Sequence, residues 1–177
     1  MCINELINNG NLQIISEYVK NLLGDVENIY SVVSVGDKIA DVVINSKRQL
    51  AIKNAIRFDV IGEIGKNEIN RTDMCSLWSN ALDNAIEASI QQEDILKRYI
   101  KVRIKRKCHS LIVNIENNMK DTPITKGNML ATKKKDKNNH GIGMRSMMDV
   151  ASKYNGIIYY DYSEEQEIFN LFISIRI

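Results

Sequence analysis

Apolar positions recur along this chain with two different periods, and the change from one to the other lays out the elements. Ile100, Val102 and Ile104 alternate with Lys101, Arg103 and Lys105, the period-two signature of a half-buried strand. Leu111, Val113 and Ile115 form its expected hairpin partner. Phe169, Leu171, Ile173, Ile175 and Ile177 share one side of a closing strand, Glu167 to Ile177, preceded by another at Gly156 to Tyr162. Elsewhere the spacing is three and four, the period of a helix packed on one face. Ile3, Leu6 and Ile7 begin a short helix. Asn8-Asn9-Gly10-Asn11 makes a turn, and Ile15, Tyr18, Leu22 and Val26 mark a second helix, so the two form an antiparallel hairpin. A helix after Val35-Gly36 runs to about Asn54 and is expected to bury Ile39, Val42, Val43 and Leu50. Ile56 to Ile64 reads as a strand and Gly65-Lys66-Asn67 as a turn. The next helix, capped by Thr72 and continuing to about Ser89, has Met74, Trp78, Ala81, Leu82, Ala85 and Ser89 on one face. A last helix presents Met144, Met147, Met148 and Ala151.

Between Asn118 and that last helix, Met119 to Asn139 has little periodicity, the only proline, and four closely spaced lysines. A structureless connection of roughly 20 residues inside a compact domain is often a functional lid. The order is therefore hairpin, linker helix, strand, helix, strand, strand, lid, helix, strand, strand. Consecutive strands require antiparallel pairs, and the helices must share one sheet face. The expected fold is an α/β (α+β) two-layer sandwich with a mixed, largely antiparallel sheet. Residues 1–54 would supply part of a helical hairpin and a linker, and residues 55–177 the sandwich.

Composition narrows the class only slightly. With 44% hydrophobic and 26% charged residues the chain is an ordinary globular one, and its net charge of +2 singles out no nucleic-acid partner. Cys2, Cys75 and Cys108 are far apart and odd in number, which fits a reducing compartment and gives no metal-ligand spacing. No apolar run approaches the ~20 residues of a membrane span. No G-x-x-x-x-G-K-[ST] occurs, which excludes a P-loop enzyme.

Three segments carry candidate chemistry. The face of the Thr72–Ser89 helix opposite its apolar stripe has Asp73, Ser76, Asn80, Asp83, Asn84 and Glu87. A solvated face is the plain alternative, but such faces usually mix lysine with glutamate and avoid asparagine, a poor helix former. Here no base is present, and Asn80 and Asn84 lie one turn apart. Amide and carboxylate oxygens grouped this way suit a hard cation such as Mg²⁺. The second segment, Asn139-His140-Gly141-Ile142-Gly143-Met144, opens a helix with glycines, which lets backbone N–H groups approach an anion; glycines also simply end loops. In the third, Ile115-Glu116-Asn117-Asn118, an asparagine at a strand end reads a base edge or turns the chain.

Taken in that order, these segments resemble the boxes of the GHKL superfamily of gyrase, chaperone, histidine kinase and mismatch-repair ATPases. NALDNAIEAS, Asn80 to Ser89, is similar to the N box, and HGIGM, His140 to Met144, to the G2 box. The likeness is greatest to the peptide-sensing quorum kinases (the accessory-gene-regulator type), which resemble this chain in the DNAIEA run, in GDKIADVVINSK (Gly36 to Lys47) and in TKKKDKNNHGIGM (Thr132 to Met144). The resemblance implies the ATP-binding catalytic domain of a sensor histidine kinase, with ATP and Mg²⁺ as cofactors. Asn84 would ligate Mg²⁺, and Asn80, the catalytic position, would face the phosphates where hydrolysing relatives have a water-activating glutamate. Asn117 would stand where most histidine kinases have the adenine-reading aspartate of DxGxG, a motif absent here. Gly141, Ile142, Gly143 and Met144 would bring the G2 box to the phosphates, with His140 beside them and Lys133 or Lys135 neutralising charge.

The resemblance also implies a homodimer formed through the hairpin, a cognate response regulator and a cytoplasmic domain attached to the membrane through upstream segments. Neither His109 nor His140 lies on a hairpin helix, so the phosphoacceptor histidine is expected upstream of Met1. The competing expectations are a GHKL serine kinase of the anti-sigma-factor type, which the hairpin and linker argue against, and a non-catalytic docking module.

Overall fold

The computed structural model describes residues 32–120, 122, 124–126, 129–131 and 142–177. The expected hairpin helices at Met1–Asn8 and Asn11–Val26 lie outside these residues. Elements follow in the order α1 (Lys38–Lys53), β1 (Arg57–Ile61), α2 (Arg71–Ile90), a short 3-10 turn (Ile95–Lys97), β2 (Tyr99–Lys107), β3 (Ser110–Asn118), β4 (Ile124–Lys126), β5 (Met129–Ala131), α3 (Ile142–Lys153), β6 (Ile157–Ser163) and β7 (Ile168–Arg176). Val33–Ile177 is one compact unit. It includes α1, the helix that the sequence assigns to the linker.

Five strands form one sheet in the order β1-β2-β3-β7-β6. The β1–β2 connection passes through α2, and that pair is parallel, Arg57 opposite Tyr99 through Ile61 opposite Arg103. The other three pairs are antiparallel. The β2–β3 hairpin turns on Cys108 and His109, with Cys108 at φ 53°. Alternation then sends Ile100, Val102, Ile104, Leu111, Val113, Ile115 and the odd-numbered apolar residues of β7 to one face, all buried. The mixed two-layer sandwich expected from the pattern is the fold observed.

Helix α2 lies at the centre of the helical layer. Its buried residues are Met74, Leu77, Trp78, Ala81, Leu82, Ala85, Ile86 and Ser89; the expected stripe is all there, widened by Leu77 and Ile86. Its N-cap is Asn70, whose carboxamide oxygen accepts from Thr72 N at 2.8 Å, and not Thr72. On α1, Asp37 caps the first turn by accepting from Ile39 N and Ala40 N. The buried face of α1 is Ala40, Val43, Ile44, Arg48 and Ala51, while Val42 and Leu50 are exposed. Of the expected face, Val43 is buried and Ile39 half-buried against the core, while Ala40, Ile44 and Ala51 are buried in place of Val42 and Leu50. Strand β1 is shorter than Ile56–Ile64, and the lid region contains the paired strands β4 and β5, three residues each, where no regular structure was expected.

On the outer face of the sheet, cross-strand pairs replace burial. Tyr159 stacks on Phe172 with centroids 4.6 Å apart. Glu116 accepts from Arg103 at 2.9 Å and Lys101 at 3.2 Å.

Where β1 ends, the chain passes so close to β2 that a side chain has no room. A Cβ at Gly62 would lie 1.9 Å from the Ile104 carbonyl oxygen, and Gly62 has φ +107°, a conformation L residues rarely adopt. Gly62→Ala is expected to destabilise the fold by about 2 kcal/mol or more through strain and overpacking together. Urea unfolding monitored by circular dichroism measures it; an unchanged midpoint would mean that the chain takes another path here.

Candidate functional site

Two helices with little sequence between their facing residues in common are joined by a polar seam. At one end, Asp73 of α2 accepts from Lys153 Nζ at 2.5 Å and from Tyr154 Oη at 2.7 Å, and Tyr154 Oη in turn accepts from Asn70 N at 2.8 Å. One turn on, the Ser76 and Ser146 hydroxyls lie 3.0 Å apart. One further turn on, Asn80 meets Gly143, where a Cβ would stand 3.2 Å from Asn80 Oδ1. Positions rise along α2 (73, 76, 80) as they fall along α3 (153, 146, 143), so the helices run antiparallel. Asn80 therefore reaches the N-terminal turn of α3. Asn84 lies four residues, about one turn, further along α2.

Their amides are not equivalent. Asn80 donates through Nδ2 to Ser76 O at 2.8 Å and Ser76 Oγ at 3.2 Å, which holds Oδ1 on the side of Gly143. Asn84 is half-buried and makes no hydrogen bond to a described residue. Between them Asp83 is occupied by Lys47 of α1 at 2.6 Å. The first N–H groups of α3 have no partner within the helix, and its dipole is positive at that end. The corner thus combines amide oxygens with backbone donors, a set that suits a cation and an anion held together.

Asn117 ends the inner face of β3, opposite Ile100 on β2 and Phe169 on β7, and is 1% exposed. Its Nδ2 donates to Asn118 O at 2.9 Å, and no described group donates to its Oδ1. Alternation sends Glu116 to the outer face, where burial pushes its carboxyl up but the Arg103 and Lys101 bonds outweigh that and hold it below the usual value. Ile142 is the first residue of α3, and the Met144 side chain is buried in the core. Lys133, Lys135, His140 and Gly141 lie outside the described residues. Missed in the sequence were Lys153, Tyr154, Ser146 and Lys47. None carries a local signal, because their partners are 36 to 81 positions away. Among the described residues no three His, Cys, Asp or Glu side chains group to hold a metal.

A five-stranded mixed sheet covered by helices, with an asparagine helix aligned against a glycine-started helix, defines the class of Bergerat-type nucleotide-binding sandwiches. The comparisons agree. The family model described as a GHKL domain matches residues 69–175, and the chain belongs to that family. No curated protein matches it. Among solved structures, the catalytic domain of histidine kinase ThkA in a nucleotide-free form is similar at 18% identity and TM-score 0.59, covering 78% of this chain and 90% of that one. The mycobacterial sensor histidine kinase MprB gives 15% and 0.55 over 78% and 93%. The Acinetobacter baumannii histidine kinase AdeS gives 17% and 0.54 over 98% and 82%. At these identities the likeness is one of fold.

Asp73 makes the seam sensitive to acid. The Lys153 and Tyr154 hydrogen bonds hold its carboxyl below the ordinary value of 3.8. A carboxyl depressed in the folded state contributes stability that is complete above its unfolded pKa and lost as pH falls through the folded one. Asp73→Asn is expected to lower stability at neutral pH, with the gap to the parent closing below about pH 4. Thermal melts of both proteins across that window test this; a gap independent of pH would assign Asp73 no role as an ion.

Proposed function

We propose that this chain is the ATP-binding catalytic domain of a sensor histidine kinase, transferring the γ-phosphoryl group of ATP to a histidine. The observation that carries the proposal is the half-buried Asn84 amide. It has no partner among described residues, and it lies one turn from an Asn80 turned toward the first turn of α3. In this reading Asn84 ligates Mg²⁺, which takes few protein oxygens and completes its shell with water and phosphate oxygens. Asn80 faces the phosphates. An amide cannot deprotonate water, which favours transfer to a protein acceptor over hydrolysis. Gly141 and Gly143 keep the backbone of the G2 box (His140 to Met144) close to the phosphates. Asn117 Oδ1 accepts from the adenine amino group in place of an aspartate, and Lys133 or Lys135 neutralises charge. Catalysis by such a site is positioning and charge neutralisation.

The N-box run DNAIEA and the Gly36–Lys47 stretch support a place among quorum-type kinases. On this reading residues 1–54 are the back of the dimerisation hairpin and the linker, with α1 the linker helix. The protein works as a homodimer with a cognate response regulator, facing the cytoplasm. His109, in the β2–β3 turn, and His140, in the G2 box, are unsuited as acceptors. The acceptor is then a histidine other than these two.

Asn84→Ala is expected to reduce Mg²⁺-dependent ATP affinity at least about tenfold, the scale of a lost charge-linked contact, with an unchanged melting curve. Calorimetry with and without magnesium reads this, and equal affinities would remove the metal-ligand role. Incubated with γ-labelled ATP, the 177-residue chain is expected to acquire no acid-labile label, and a chain extended by its native upstream residues is expected to acquire it. Acid-stable label on an added partner would favour a serine kinase. Absence of any ATP binding would favour a docking module.

A further inference from the structure

Beyond the helix seam, the edge of the sheet where β2 and β7 begin and β3 ends holds a depression of about 260 Å³. A water's share of liquid volume is about 30 Å³, so the space exceeds a single solvent site. Its wall includes Asn118, which is 4% exposed. Asn118 Oδ1 accepts from Tyr99 N at 2.9 Å, and this settles the orientation of the amide, because reversing it would set N–H against N–H. Asn118 Nδ2 is then buried without a hydrogen-bond partner, the one such side-chain atom among the described residues. Buried donors are almost always satisfied. An aspartate would serve Tyr99 N and strand no donor, but it would bury a charge; the asparagine keeps the wall neutral there and presents a donor.

Charge around the depression favours an acceptor that is also an anion. Arg57, Lys97 and Arg98 line it against a single carboxylate, Glu167, which already accepts from Gln92 Nε2 at 3.2 Å. Arg57 is shared with Asp59 at 3.3 Å. Arg98 spends its N–H groups on the carbonyls of Gln92, Asn54 and Ile90, which balance none of its charge. Lys97 makes no ion pair with a described residue. Beside it Leu96 is 92% exposed and, with Ile168, gives the wall an apolar part.

We propose that this depression binds a carboxylate carrying a short apolar chain. One carboxylate oxygen accepts from Asn118 Nδ2, the Lys97 ammonium balances the charge, and the chain covers Leu96 and Ile168. The same chemistry comes from a free organic acid or from the C-terminus of a peptide. The site is separate from the asparagine corner and does not depend on ATP binding there.

The test is a titration of the isotopically labelled 177-residue chain with sodium butyrate, following the Asn118 side-chain amide by NMR against a sodium chloride control. A saturable shift of that resonance, absent with chloride, is expected. Lys97→Gln, at an exposed position that leaves the fold alone, should weaken butyrate by roughly two- to fivefold, the range for an exposed ion pair. Asn118→Asp keeps the acceptor for Tyr99 N and should abolish binding by placing like charges together. A peptide with a free apolar C-terminus binding more tightly than butyrate, and more tightly than its amidated twin, would identify a protein source; butyrate alone binding would identify a free acid. A linear response, a response equal to that of chloride, or Lys97→Gln binding as the parent does would overturn the proposal. In the first two cases the donor is met by water alone.

Discussion

Burial of one side of α2 on the sheet is the constraint from which the remaining geometry follows. Eight of its side chains are buried, among them Trp78, Leu77, Leu82 and Met74 at 2% exposure or less. Each fully buried side chain of this size contributes about 1.5–3 kcal/mol, enough that the helix has no rotational freedom about its axis. With that rotation determined, the residues at 73, 76 and 80 must face α3. Asn84 must then lie one turn beyond, and Asp83 on the flank toward α1. The polar corner is a consequence of the apolar core.

Side chains along the two flanks then set the spacing. On the α3 side a carboxylate with two donors, a hydroxyl pair and an amide against a glycine come in sequence. Gly143 faces Asn80 Oδ1 so closely that a Cβ there would stand 3.2 Å from it, at the end where a ligand would need to approach backbone N–H groups. On the α1 side Lys47 pairs with Asp83, the residue before Asn84. Asn84, in the same turn, is left half-buried with no side-chain hydrogen bond to a described residue. A carboxylate there without a cation would bring its negative charge close to bound phosphate, so its neutralisation and the binding of a polyanion are compatible demands.

At the sheet end, successive residues of one strand face different environments. Asn117 presents an acceptor toward the helical side, Glu116 is held by two cations on the outer face, and Asn118 leaves a buried donor at the edge depression. A strand places neighbours on opposite faces at no energetic cost. Three polar residues in a row can therefore serve three separate surroundings.

The sequence by itself determined the order of the three described helices and the five strands of the main sheet, the strand alternation, the apolar stripe from Met74 to Ser89 and the two boxes that resemble those of the GHKL family. Those are local properties: a period of 2 or 3.6, or a short run of residues, is complete within a few turns of chain. What only the tertiary structure decided are choices between locally equal options. On α1, Val42 and Leu50 look as suited to burial as Ala40, Ile44 and Ala51, yet packing buries the latter together with Val43. Asp73 and Asp83 look alike on a helical wheel, yet one is bonded to Lys153 and Tyr154 and the other to Lys47. Asn117 and Asn118 are the same residue type side by side, and only the pairing with Tyr99 leaves Asn118 Nδ2 stranded. Such partners are chosen by packing of segments far apart in the chain, and no local period encodes them.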